Sequence, residues 1–195
     1  MGRTWAFCLE PDHAGNNGNF SGNSNPPNRG VFWVTGDVTA VAPFTFSSVT
    51  FFDADDAPTL YDGDQMFYAI SRFNLPGGQS IQDILVAFGR IRNTPTPATV
   101  GSPIKLGSGA GARPKCIVSK DTVAGGLTTV ILPLPGGGTT TLDAIGPIIV
   151  NKDPGGNRPK KSKYETLIIA RVGIAPNNIS AEFAFDPEVD VDNGL

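Results

Sequence analysis

The chain has 195 residues, a formal net charge of −3 and charged side chains at only 17% of positions. This balance argues against a general electrostatic nucleic-acid binder, which would carry a basic face. With 39% apolar residues and 12 Phe the chain is not disordered, and its 24 Gly and 17 Pro point to many short strands joined by tight turns.

In chain order, RTWAFCL (3–9) reads as a first strand, with Trp5 and Phe7 alternating with Thr4 and Ala6. Its apolar run meets Glu10, Pro11 and Asp12 after five residues, too short for a secretory h-region. No stretch approaches the roughly 18 apolar residues of a membrane-spanning helix. The expected location is therefore cytoplasmic, or outside the cell by a non-classical route. Residues 10–30 are dominated by Gly, Asn, Ser and Pro and read as a long loop. VFWVTGDVTAV (31–41) is a strand with Gly36 at a bulge, and FTFSSVTFF (44–52) is the next strand.

The most distinctive stretch follows. FFDADDAPTLYDGDQM (51–66) holds Asp53, Asp55, Asp56, Asp62 and Asp64 between two apolar runs. Closely spaced carboxylates are hard oxygen donors of the kind calcium takes, roughly six to eight at a time. These five are the candidate metal ligands, although no EF-hand spacing is present. The competing reading is a solvated turn that keeps a phenylalanine-rich pair of strands soluble, since Pro58 and Gly63 are ordinary turn residues.

QMFYAISRF (65–73) is a strand, and NLPGG (74–78) is a turn. The spacing of Ile81, Ile84, Leu85, Phe88 and Ile91 predicts one short helix near 80–92, with Ser80 at its cap and Arg90 and Arg92 in its last turn. The competing reading there is a strand with Gly89 at a bulge. Residues 93–114 form a second long loop. KCIVS (115–119) and LTTVILPL (127–134) are strands. PGGG (135–138) turns the latter into TTTLDAIGPIIV (139–150), a hairpin. The loop at 151–163 is basic, with Lys152, Arg158, Lys160, Lys161 and Lys163. YETLIIARVGI (164–174) and ISAEFAFD (179–186) close the series, joined by APNN.

The C-terminal tail repeats its acids every second residue, at Asp186, Glu188, Asp190 and Asp192. In an extended chain these share one face, with Val189 and Val191 on the other. Like charges on one face need solvent, a cation or a basic partner. The obvious partner is the basic loop, of the same chain or of a neighbouring copy.

Catalytic signals are sparse. The one histidine, His13, lies in the first loop; no G-x-S-x-G elbow occurs, and Cys8 and Cys116 form no C-x-x-C. Both cysteines sit in strand-like runs and read as buried thiols, a disulfide being open only if their strands are neighbours. The expected fold is all-β, an antiparallel β-sandwich or jelly-roll-like single domain over 1–195, with about nine or ten strands. The leading functional expectation is a non-enzymatic structural protein whose partner is itself, in an oligomer, fibre, shell or inclusion. The alternative is a calcium-assisted, lectin-like module for carbohydrate or another ligand, with Trp33, Tyr61 and Tyr68 as contact surface. A third is an enzyme using a carboxylate pair. No cofactor is expected beyond calcium in that second reading.

Overall fold

A computed structural model describes residues 2–10, 30–54, 56, 58–72, 75, 77–90, 104–106, 113–114, 117–118, 126–150, 161–185 and 188–192. These hold fourteen strands: β1 (Thr4–Leu9), β2 (Phe32–Val38), β3 (Phe44–Asp53), β4 (Thr59–Leu60), β5 (Gln65–Ser71), β6 (Ser80–Arg90), β7 (Ile104–Leu106), β8 (Arg113–Pro114), β9 (Ile117–Val118), β10 (Thr128–Pro133), β11 (Thr139–Val150), β12 (Lys161–Ala175), β13 (Asn178–Phe185) and β14 (Glu188–Asp192). The fold is all-β, and among the described residues no helix is long and apolar enough to cross a membrane.

The strands form a closed barrel and a second sheet rather than two open sheets. The barrel order is β10-β3-β2-β1-β5-β11, and β10 also pairs with β11, which closes the ring. The second sheet runs β4-β14-β12-β6-β9, with β13 on β12. This corrects the simple sandwich expectation, and the purely antiparallel one. The pairs β1–β5, β3–β10 and β4–β14 are parallel. Closure depends on β11, whose first half pairs with β10 and whose length from Leu142 to Ile149 pairs with β5.

The side-chain pattern explains the architecture. In β1, Trp5, Phe7 and Leu9 join one buried cluster while Ala6 and Cys8 join another. Successive residues of a strand point to opposite faces, so β1 is buried on both sides, which is why WAFCL (5–9) is an unbroken apolar run. The cluster inside the barrel sets Ala6, Cys8, Ala69 and Ala144 beside Phe32, Phe46 and Phe67. Small residues next to rings fill a narrow barrel without leaving a channel. The larger cluster lies between barrel and second sheet. Trp33, Tyr68, Ile70 and Ile145 meet Ile84, Val86, Ile168, Val172 and Phe183 there. Phe7 is its aromatic centre, 4.3 Å from Trp33 and 5.7 Å from Phe185 by ring centroids. Each such side chain contributes about 1.5–3 kcal/mol on burial.

Residues 80–90 are strand β6, not the expected helix. The register shifts between Arg171↔Asp83 and Val172↔Ile81, so Gln82 is the extra residue of a bulge. A bulge lets residues three apart face the same way. Ile81 and Ile84 both enter the core for that reason, which is the spacing that imitates a helix. The expected bulge at Gly36 is present, between Thr35 and Asp37. The PGGG hairpin is present as well, Leu134 N–H donating to the Gly138 carbonyl at 3.0 Å. Short strands β7 and β8 fall inside the expected loop 93–114, and β12 begins at Lys161, inside the expected loop 151–163.

Candidate functional site

The acidic stretch, the N-terminus and the C-terminal strand meet at one corner of the fold. Strand β1 starts there and lies parallel to β5, Thr4 opposite Gln65. Gly63 turns the chain between β4 and β5 with φ of 84°, a conformation that glycine adopts without strain. Gly2 lies directly against this turn, and a Cβ at position 2 would overlap the Gly63 carbonyl.

Asp64 organises the corner. Its side chain is only 3% exposed. One carboxylate oxygen, Oδ1, accepts the Arg3 backbone N–H at 2.8 Å. The other, Oδ2, accepts the Tyr61 N–H at 3.0 Å and the Arg3 guanidinium at 3.3 Å. The same Arg3 nitrogen donates to the Thr59 carbonyl at 2.8 Å. The guanidinium carbon lies 5.1 Å from the Trp5 ring and 4.8 Å from the Tyr61 ring, so two aromatic faces hold the cation. Burying a carboxylate is costly without such partners, and Asp64 has a full set.

The remaining aspartates of the stretch have other surroundings. Asp53 ends β3 and is exposed; Asp56 is exposed and its N–H donates to the Asp53 carbonyl at 3.1 Å; Asp62 is exposed in the turn. Asp55 lies outside the described residues. Among the described residues no group of three or more His, Cys, Asp or Glu is placed to hold a metal ion.

The acidic tail meets the basic segment within the chain. Strand β14 pairs with β12 so that Lys161 stands opposite Asp192 and Lys163 opposite Asp190 in the backbone register. Val189 and Val191 are buried while Asp190 and Asp192 are half-buried, the two-residue alternation expected of the tail. The tail also joins the acidic stretch directly, Asp190 and Val191 pairing in parallel with Thr59 and Leu60. Glu188 and Glu165 stand opposite each other in that register. Asp186, Lys152, Arg158, Lys160 and His13 lie outside the described residues.

Of the aromatic residues named as contact surface, only Tyr61 qualifies. Trp33 and Tyr68 are completely buried between the layers. Burial pushes the Tyr68 phenol well above its usual range. Cys8 is a free, buried thiol whose pKa desolvation raises; Cys116 lies outside the described residues.

Sequence reasoning missed the partner of Asp64, because nothing in an isolated arginine at position 3 signals a contact 61 residues away. It also missed a cleft beside that arginine. The cleft holds about 470 Å³, between the N-terminal residues and the β2–β3 bulge. Arg3, Thr4, Thr35, Asp37, Ser48 and Thr50 are the polar groups of its wall. Ser48 has φ of 50°, a left-handed conformation uncommon for a residue with a Cβ. No family model matches the chain, and neither a curated protein nor a solved structure matches it.

Proposed function

We propose that this chain is a non-enzymatic structural β protein that associates with further copies of itself through the outer face and open edge of its second sheet. The supporting observation is the apolar character of that face. Cross-strand partners share a face of a sheet, and Leu167 pairs with Ala87 while Ile169 pairs with both Leu85 and Ala184. Leu167 is 41% exposed, Ala184 is exposed, and Leu85, Ala87 and Ile169 are half-buried. At the far end of the β12–β13 hairpin, Ile174 is 66% exposed and Ile179 is 37% exposed.

Two further features favour a second copy as the occupant. The cation at one border of the apolar strip is paired inside the chain, Arg171 reaching Glu182 at 2.7 Å and Asp83 at 3.8 Å. An apposed copy therefore meets no unpaired cation at that border. Strand β13 pairs only with β12 among the described residues, which leaves one row of its backbone donors and acceptors open. An open edge with few charges is a template for another strand. Every copy carries the same edge and face, so a two-fold pairing can extend the sheet and cover the apolar strip together. Light scattering over a concentration series tests the reading. A mass above the 20.4 kDa monomer is expected, and a monomer at every concentration would refute it.

A further inference from the structure

We infer that the cleft between the N-terminal residues and the β2–β3 bulge binds a small neutral polyhydroxylated ligand, a monosaccharide or disaccharide. At about 470 Å³ it falls within the size range of small-molecule sites. Its shape comes from the bulge. A Cβ on Gly36 would come within 2.5 Å of the Ser47 carbonyl, so the glycine lets β2 press against β3 there. Bulges of this kind re-aim side chains beside binding sites.

The chemistry of the wall selects the ligand. The side chains of Asp37, Ser48 and Thr50 have no hydrogen-bond or ion-pair partner among the described residues. The Thr35 hydroxyl donates to the Thr4 carbonyl at 2.8 Å, which leaves its oxygen as an acceptor. Arg3 uses a single guanidinium nitrogen for Asp64 and Thr59, and its other N–H groups carry no hydrogen bond to the described residues. The cleft therefore offers rigid donors from Arg3, a charged acceptor in Asp37, and hydroxyls that do both. Sugar hydroxyls donate and accept in the same way.

Other ligand classes fit less well. An anion would find the Arg3 charge already offset by Asp64 and would meet the carboxylate of Asp37. A metal ion would find one carboxylate in the wall. An apolar molecule would find a single sizeable apolar side chain, Val38.

The test is a titration of isotope-labelled protein followed by amide NMR, with maltose, cellobiose, lactose and N-acetylglucosamine in turn and inorganic phosphate as a separate arm. At least one sugar is expected to shift amides of residues 3–4, 35–38 and 48–50 while phosphate does not. Asp37→Ala should weaken that sugar about tenfold, the loss of one hydrogen bond to a charged group. Ser48→Ala should weaken it by a smaller factor. The variant spectra themselves report whether each protein is folded. The inference is overturned if no sugar shifts these amides, if phosphate binds more tightly than the sugars, or if Asp37→Ala and Ser48→Ala bind as the parent does. It is independent of self-association, since Leu167 lies on the second sheet and a Leu167→Lys variant retains the cleft.

Discussion

Replacing Asp64 by alanine separates the buried aspartate of the acidic stretch from Asp53, Asp56 and Asp62, which are exposed. The substitution removes the acceptor for two backbone N–H groups, of Arg3 and Tyr61, and for the Arg3 guanidinium. Hydrogen bonds to charged groups contribute about 1.5–3 kcal/mol each. The guanidinium contact counts for less, because the Arg3 side chain is 49% exposed and can be rehydrated. The expected cost of Asp64→Ala is about 3–5 kcal/mol. For a chain of this size that lowers Tm by on the order of 10 °C. Asp64→Asn keeps one acceptor oxygen and should cost roughly half as much. Asp53→Ala, at an exposed position, should lie within about 0.5 kcal/mol of the parent. Urea denaturation followed by tryptophan fluorescence measures all three, since Trp5 and Trp33 are both buried. If Asp64→Ala were as stable as Asp53→Ala, the corner would not be organised as described.

Two further outcomes follow from the core. Gly146 sits in the bulge of β11 with φ of 143°, and a Cβ there would lie 2.7 Å from the Met66 carbonyl oxygen. Gly146→Ala should therefore destabilise by about 3 kcal/mol or more, combining backbone strain with overpacking, and a urea midpoint equal to the parent's would contradict this. The second outcome concerns alkaline pH. Burial raises the pKa of both Cys8 and Tyr68, whose ordinary values are 9.0 and 10.0. Both groups stay protonated when folded and ionise when unfolded, so their contribution is complete below those values and is lost as pH rises above them. Stability should fall by about 1.4 kcal/mol per pH unit for each titrating group. Cys8→Ala should flatten the first part of the decline, and an identical pH profile in that variant would count against the burial of the thiol.

The strands were legible where burial is one-sided or the turn chemistry is strong. Residues 139–150 were readable because PGGG supplies the positive φ values the hairpin needs, at Gly136, Gly137 and Gly138. The tail was legible as an alternating strand because two valines bury while two aspartates do not. Residues 80–90 were misread because a bulge at Gln82 sends Ile81 and Ile84 to the same side. The pairings that close the barrel were not legible. Closure depends on β10 pairing in parallel with β3, some 85 residues earlier (Val130 with Phe44, Ile131 with Thr45), and periodicity carries no record of partners. The acidic stretch stands out in the sequence, but the distinction among its aspartates needed the third dimension. Asp64 differs from Asp62 only in being covered by Arg3, Tyr61 and the turn. The cleft is lined in part by Ser48, whose left-handed conformation residue type does not announce.

The central claim is that the outer face of the second sheet is a contact surface between copies. It is tested most directly by light scattering of the untagged protein beside Leu167→Lys over the same range of concentration. Leu167 is already 41% exposed, so a lysine there leaves the fold intact while placing a charge in the apolar strip. The parent should associate as concentration rises, and Leu167→Lys should remain monomeric or associate at least about tenfold more weakly. Equal masses for the two proteins at every concentration, whether monomer or oligomer, would contradict the claim.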